Sequence, residues 1–349
     1  MAAPSALAQL LPRVGLEDPS QAAALLEAER YSQARLREAR ASLRALDLRL
    51  ANARDDHRGF AERGLAVFAL GSLGRHEASP TSDLDLAVLY DGQALDPAEA
   101  QRLREAVVDV LSPDFDILHK TFDRAVDRHS LVANIGGRED SNLSLTYRAL
   151  LLTEGAWLVG AGRATKRGIF RAYADGQISR GRFLASLGND LQRYYRTLCM
   201  DYRHKVEVLD KSWALRVLKL RHSRKLWHLA NIALQCFCVD AIEDDAARDV
   251  TLAARIGWPS LLRLATALDH FGAPELAREP VLCMDHFLAA LADPAVRDEL
   301  GQLPYEARHD SAVFEDLYAN ADRLDAATAD IVELLLARCR RYMVRFCVL

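Results

Sequence analysis

Two carboxylates stand two residues apart at the start of an apolar run, in the segment SDLDLAVLY. Side chains two apart on a β-strand share one face, so Asp83 and Asp85 would lie side by side if this run is a strand. Adjacent carboxylates repel each other unless a cation neutralises them. Mg²⁺ (or Mn²⁺) takes carboxylate oxygens and keeps positions open for phosphates, so the spacing predicts a divalent-metal site at this pair.

A turn that carries glycine and serine precedes the pair and predicts a phosphate site. Gly71 and Ser72 end an earlier apolar run, and ten residues separate Ser72 from Asp83. Gly71 and Gly74 would let the backbone approach a phosphate closely, and Ser72 would add a hydroxyl donor. The alternative is a strand–turn–strand with a polar surface loop, but the turn and the carboxylate pair together favour the functional site.

The elements that must position these side chains form a small α/β module. Apolar runs and helical spacing predict strands at 64–70 and 84–90, a helix at 97–111 and a third strand at 115–122. Asp114 and Asp116 would share one face of this third strand, whereas His119 would point to the opposite face. Residues 153–160, TEGAWLVG, fit either a helix end or a short strand.

Helical periodicity dominates the rest of the chain. The predicted fold class is α+β, with a small mixed-sheet domain at 64–162 between an N-terminal helical segment at 1–63 and a C-terminal all-helical domain at 163–349. Helices are expected near 142–158, 181–208, 212–239, 247–268, 281–292 and 322–346, with a short one just after Pro294.

Composition bounds the function classes. The 349 residues include 45 basic and 49 acidic side chains, a net charge of −4, so the molecule as a whole does not favour non-specific nucleic-acid binding. No run of apolar residues is long enough to span a membrane, and the amino terminus lacks the pattern of a secretory signal. The six cysteines are scattered in apolar contexts, which favours reduced thiols. We therefore expect a cytoplasmic protein without membrane association.

One local cluster of basic residues breaks the acidic balance, in the segment SWALRVLKLRHSRKLWHLA. On a helix, Arg221, Arg224 and Lys225 fall within an arc of about 100°, and most of the remaining circumference is apolar. No acidic residue occurs between Asp210 and Asp240. Bases on a buried helix need an anionic partner, which is either a phosphate or a carboxylate from elsewhere in the chain. The first possibility adds these three residues to the nucleotide site, and the second makes them an internal salt-bridge network. A plain basic surface is the remaining alternative.

The segment GSLGRHEASPTSDLDL resembles the signature of the polymerase-β-like nucleotidyltransferase superfamily, in which a Gly-Ser pair precedes an Asp-x-Asp pair. More narrowly, it is similar to the catalytic domains of the bacterial PII-protein uridylyltransferases and related nucleotidyltransferases. The positions that match the narrower pattern are Gly71, Ser72, Gly74, Arg75, Glu77, Pro80, Ser82, Asp83 and Asp85. The close match covers about twenty residues, and a looser likeness extends to about Gly160. The uridylyltransferases also carry a phosphohydrolase domain and ligand-sensing domains, which we do not expect here.

The resemblance implies a two-metal transfer of a nucleoside monophosphate from a nucleoside triphosphate, such as ATP, to a hydroxyl group. The superfamily also has a third carboxylate on the strand after the intervening helix, which here would be Asp116, with Asp114 as the alternative. Asp83 and Asp85 would hold one Mg²⁺ ion, and Asp116 would either help to hold a second one or accept the proton of the attacking hydroxyl group. Gly71, Ser72 and Arg75 would bind the β- and γ-phosphates, and pyrophosphate would leave.

A macromolecular acceptor is expected, and a protein is favoured over tRNA because the nearest resemblance modifies a protein tyrosine. A tRNA acceptor, a small-molecule acceptor and a non-catalytic nucleotide sensor of the same fold stay open. The base of the nucleotide is not specified by any marked position.

Overall fold

A computed structural model of the chain describes two compact units. The described residues are 5–52, 57–117, 122–174, 185–207 and 212–348. The contacts between residues group Glu29–Ile178 into one unit, which we call the sheet unit, and Met1–Ala28 with Ser179–Leu349 into the other, which we call the helical unit.

The elements follow one another in a mainly helical order. From the amino terminus they are α1 (Ala6–Leu10), α2 (Ala23–Ala51), β1 (Ala66–Leu70), α3 (Gly71–Arg75), β2 (Asp85–Tyr90), α4 (Pro97–Leu111), β3 (Val126–Asp127), α5 (Asn142–Thr153), β4 (Ala156–Gly160) and α6 (Gly162–Ala174). They continue as α7 (Ala185–Glu207), α8 (Trp213–Lys219), α9 (Lys225–Ala241), α10 (Asp245–Arg255), α11 (Ser260–His270), α12 (Arg278–Ala292), α13 (Pro294–Gln302) and α14 (Ala312–Tyr342).

The described strands form a four-stranded mixed sheet in the order β3-β2-β1-β4. Strand β1 is antiparallel to both of its neighbours, and Leu70 at its end pairs with Asp85 at the start of β2. Strand β3 is parallel to β2 but contributes only two residues. This α/β architecture with a small mixed sheet agrees with the predicted class. The end of β1 and the start of β2 meet at one edge, where the predicted site residues lie.

One face of the sheet is covered by α2 and α4. Leu36, Ala39, Leu43 and Leu46 recur along α2 at spacings of three and four, which places them on one helical face. This face of α2 packs in one buried core with α4 and with Val67 and Ala69 of β1. Helices α5 and α6 also pack against β1. Because side chains alternate along a strand, the neighbours of Val67 in β1 point to the opposite face.

Most of the predicted elements of the sheet unit are confirmed. Helix α4 has the predicted bounds, since the Asp96 carboxylate caps its first turn and Pro97 occupies a position that needs no amide donor. The strands predicted at 64–70 and 84–90 are β1 and β2, each slightly shorter. The TEGAWLVG segment contains both the end of α5 and the strand β4. The helix predicted near 142–158 is therefore too long, because it ends at Thr153 and residues from Ala156 onward pair with β1.

The strand predicted at 115–122 is wrong for its described part. Residues 115–117 are not in a strand, while residues 118–121, including His119, lie outside the described residues. Phe115 is instead buried beneath Arg35, whose guanidinium carbon lies 3.9 Å from the centroid of the Phe115 ring. Arg35 also donates a hydrogen bond to the Asp114 carbonyl. These contacts with α2 fix the chain after α4 in an irregular conformation. The observed third strand is β3, farther along the chain.

The helical unit follows the predicted pattern with shifted bounds. The helix predicted at 212–239 is α8, a π-helical turn at Leu220–Arg224, and α9. The helix predicted at 247–268 is divided into α10 and α11, and the short helix after Pro294 is α13. Within the part of the chain that the structure describes, no helix is long and apolar enough to cross a membrane.

A buried ion pair fixes the segment before α5. The Asp140 carboxylate accepts two hydrogen bonds from the Arg148 guanidinium, both 2.9 Å, and the two side chains are 2% and 1% exposed. Arg148 also donates to the Leu131 carbonyl and to the Tyr173 hydroxyl. Breaking a buried pair on one side leaves the other charge without compensation, which is strongly destabilising.

We therefore expect Asp140→Asn to lower the free energy of unfolding by about 3 kcal/mol. The matched control is Glu38→Gln, because Glu38 pairs with Arg35 in the same unit but is 55% exposed. That exposed pair should contribute less than about 0.5 kcal/mol. Chemical denaturation of both variants measures the difference, and equal effects would contradict this account of Asp140.

Candidate active site

The Gly71–Ser72 turn and the second carboxylate of the Asp pair are in direct contact. Strand β1 ends at Leu70, and α3 begins at Gly71 with a φ of +66°, a left-handed conformation that favours glycine. A Cβ atom at Gly71 would lie 2.3 Å from the Asp85 Oδ2 atom. The Asp85 carboxylate therefore rests against the backbone of this turn, and no larger residue fits. The two predicted halves of the site meet here.

Gly74 packs the short helix α3 against the end of α5. A Cβ atom at Gly74 would lie 1.9 Å from the backbone oxygen of Glu154, which follows α5. This close approach brings the backbones of the two segments into contact, since a glycine adds no side-chain volume. Packing against Glu154 thus explains why a glycine occupies position 74. A direct contact between Gly74 and phosphate stays a prediction.

The Glu154 side chain joins three parts of the site, and sequence reasoning did not assign it a role. Its Oε1 atom accepts the Gly71 amide at 3.0 Å, and its Oε2 atom accepts the Arg75 Nη1 atom at 2.8 Å. Arg75 also donates through Nε to Glu77 at 2.8 Å. The side chains of Arg75, Glu77 and Glu154 are 8%, 7% and 0% exposed. We call Glu154, Arg75 and Glu77 the carboxylate–arginine clamp.

The clamp holds Arg75 in its charged form. Burial opposes the charge of the guanidinium, but Glu77 and Glu154 outweigh this effect and raise the pKa of Arg75 well above its ordinary value. The guanidinium is shared between two buried carboxylates, so Arg75 fixes the turn, and its predicted contact with a nucleotide stays a prediction. The Gly71 amide is likewise taken up by Glu154, so Gly71 contributes close approach rather than a hydrogen bond to phosphate.

Asp83 and Asp85 flank Leu84 at the start of β2. Leu84 is buried, while both carboxylates are partly exposed, which is the alternation expected of extended chain. The Leu84 amide donates to the Asp116 carbonyl at 2.8 Å, so the backbone of Asp116 runs beside the pair. The side chains of Asp116 and Asp114 are both exposed.

A metal ion fits the pair on the chemistry of its donors. Mg²⁺ is commonly bound by one or two carboxylates together with substrate phosphates and water. Asp85 adjoins the narrow turn at Gly71, and Asp83 lies two residues before Asp85 in the chain. Among the described residues, no three His, Cys, Asp or Glu side chains lie close enough to hold a metal. The structure therefore does not bring the Asp116 carboxylate into a set with the pair, and its role as third ligand stays a prediction.

A small cavity of about 200 Å³ lies between α2, the segment before β2 and the segment after α4. Ser82 and Asp116 line it, together with Tyr31, Arg35 and Phe115. Binding pockets for drug-sized ligands occupy roughly 300–1,000 Å³, so this one has room for a single ring-sized group rather than a whole nucleotide.

The three basic residues predicted on the helix after Ser212 lie in the helical unit. Arg221 donates to Asp322 and Asp325 at 2.6 and 2.8 Å, and Lys225 pairs with Asp325. Burial opposes the charge of Arg221, but these hydrogen bonds outweigh it and raise the pKa of Arg221. Arg224 lies in the π-helical turn between them. The contacts of Arg221 and Lys225 match the alternative of an internal salt-bridge network, while binding of all three residues to nucleotide stays a prediction.

No family model matches the chain, and no curated protein matches it either.

The packing of Gly74 gives a direct test of the site geometry. Gly74→Ala should lower the free energy of unfolding by about 3 kcal/mol, because the new methyl group overlaps the Glu154 carbonyl and forces the backbone to shift. Gly168→Ala is the matched control, since Gly168 is also helical but a Cβ atom there meets nothing within 4 Å. That change should stabilise the protein by about 0.5–1 kcal/mol. Thermal unfolding distinguishes the variants, and a neutral Gly74→Ala would contradict the close contact between α3 and Glu154.

Proposed function

We propose that this protein is a Mg²⁺-dependent nucleotidyltransferase that moves a nucleoside monophosphate from a nucleoside triphosphate to a hydroxyl group. The observation that carries the proposal is the contact between the Gly71 backbone and the Asp85 carboxylate. It supports a common site in which a phosphate-binding turn and a metal-binding pair serve the same ligand. The likeness of this segment to the polymerase-β-like signature supports the same reaction.

Each residue of the site has a role in the proposed reaction. Asp83 and Asp85 hold Mg²⁺ (or Mn²⁺), which neutralises charge on the triphosphate. Ser72 donates its hydroxyl to a phosphate oxygen, and Gly71 lets the phosphates approach the backbone. The acceptor oxygen forms a bond to the α-phosphorus while the bond from that phosphorus to the bridging oxygen breaks, and pyrophosphate leaves. Asp116 receives the proton of the acceptor hydroxyl.

A macromolecular acceptor is the preferred substrate class, and a protein is favoured over tRNA. The cavity lined by Asp116 supports an acceptor that presents one ring-sized group to the site. A small-molecule acceptor remains an alternative within the same chemistry. A non-catalytic nucleotide sensor is the alternative from a different class, and it would bind nucleotide without releasing pyrophosphate.

Incubation of the protein with each α-³²P-labelled nucleoside triphosphate, Mg²⁺ and a cell lysate tests the proposal. Label should appear in one class of acceptor, and its separation into protein, RNA or small molecules identifies that class. Asp85→Asn serves as the control that must abolish labelling. Nucleotide binding without labelling in any fraction would favour the sensor.

The carboxylate pair should dominate the rate. Asp83→Asn or Asp85→Asn removes a metal-binding charge and should lower nucleotide transfer at least ~100-fold, equivalent to about 2.7 kcal/mol of barrier. Both side chains are partly exposed, so the fold should survive, which circular dichroism and thermal unfolding can establish. Near-normal turnover in either folded variant would refute the metal role of the pair.

Asp114 and Asp116 provide a matched comparison for the third carboxylate. Both are exposed in the same segment, so Asp116→Asn and Asp114→Asn should have similarly small effects on stability. If Asp116 acts on the acceptor, its variant should reduce turnover nearly as much as Asp83→Asn, while the Asp114 variant should stay within about tenfold of the wild type. The reverse ranking would assign the role to Asp114.

A further inference from the structure

Lys166 is a partly buried cation on α6 that lies over the sheet. Its Nζ atom is 6.0 Å from the centroid of the Phe68 ring in β1. Helix α6 packs against β1 and β4, whose sequences AVFAL and AWLVG contain no ionisable side chain. The surroundings of the ammonium group are therefore largely apolar on the sheet side.

No described carboxylate pairs with Lys166. Burial lowers its pKa to about 8, and no neighbouring charge contributes to this shift. Two buried arginines of the sheet unit have carboxylate partners: Arg75 pairs with Glu77 and Glu154, and Arg148 pairs with Asp140. A buried charge without a partner costs stability, so its position calls for a ligand or another compensating role.

The ammonium group lies on the face of the sheet that presents Asp85. Phe68 and Leu70 are two apart in β1 and share a face, and Leu70 pairs with Asp85 across the strands. Asp85 is thus a diagonal neighbour of Phe68, and such neighbours are roughly 7–8 Å apart. Lys166, which lies over the Phe68 ring, and Asp85, which lies against Gly71, therefore belong to one surface.

We infer that Lys166 binds phosphate oxygens of the nucleoside triphosphate on this face of the sheet. The inference rests on the proposed function and adds to it the cation that the Gly71 turn does not provide. A lysine ammonium group is a compact point charge that suits phosphate oxygens, and its bond to an anion strengthens in an apolar setting. The triphosphate would supply the missing negative charge, and Asp85 would hold the metal that accompanies it.

Lys166→Met separates this role from a structural one. The substitution keeps the length of the side chain and removes a charge without a partner, so the melting temperature of the free protein should stay the same or rise. The dissociation constant for Mg²⁺–ATP should increase at least ~10-fold, with a matching loss of the ligand-induced thermal shift. Lys166→Arg should restore most of the affinity. Arg167→Met is the matched control, because Arg167 is the next residue of α6 and is exposed.

Early melting of Lys166→Met with unchanged affinity for Mg²⁺–ATP would overturn the inference, since it would show a packing role. Calorimetric binding of inorganic triphosphate distinguishes this failure from that of the proposed function. Lys166-dependent binding without any nucleotide transfer would support the phosphate site and reject the transferase. Normal transfer with Lys166-independent binding of both Mg²⁺–ATP and inorganic triphosphate would support the transferase and reject the role of Lys166.

Discussion

The Glu154 carboxylate is the interaction on which the geometry of the site depends. It is fully buried and accepts the Gly71 amide with one oxygen and the Arg75 guanidinium with the other. These bonds tie the junction of α5 and β4 to the turn that follows β1. Because a buried carboxylate without its cation would cost several kcal/mol, the turn and the arginine must assemble together. The position of Gly71 against Asp85 follows from this arrangement.

The same interaction limits what the turn can offer to a ligand. The Gly71 amide and the Arg75 charge are already engaged, which leaves close backbone approach and the Ser72 hydroxyl as the contributions of the turn. In the proposed reaction, neutralisation of the triphosphate would then have to come from metal at Asp83 and Asp85 and from cations on other elements. In the helical unit, Arg221 and Lys225 are paired with carboxylates of α14. Lys166 differs from these residues because no described carboxylate neutralises it.

Local sequence signals predict the core of the sheet unit well. Apolar runs bounded by Gly71 and by Asp91-Gly92 define β1 and β2, and Asp96-Pro97 defines the start of α4. The irregular segment at 115–117 was not predictable in this way, because it depends on Arg35 of α2, which is far away in sequence. A two-residue strand such as β3 is also too short to produce a periodic pattern.

In the candidate site, too, contacts between residues close in sequence could be predicted, whereas contacts between distant residues could not. The spacing of Gly71, Asp83 and Asp85 indicates their proximity, because a strand–turn–strand unit brings them together locally. Glu154 contacts Gly71 across 83 positions of sequence, and no local pattern assigns such a partner. The basic residues Arg221 and Lys225 illustrate the same limit. Their need for anions was clear from the sequence, but the carboxylates that contact Arg221 lie about a hundred residues farther on.

The central claim is attack of a hydroxyl group at the α-phosphorus, and paired labelling tests it most directly. The protein is incubated with acceptor, Mg²⁺ and one nucleoside triphosphate that carries ³²P at either the α or the γ position. The account predicts that the α label becomes bound to the acceptor while the γ label is released in pyrophosphate. Transfer of the γ label to the acceptor, or its release as single phosphate without α transfer, would contradict the account.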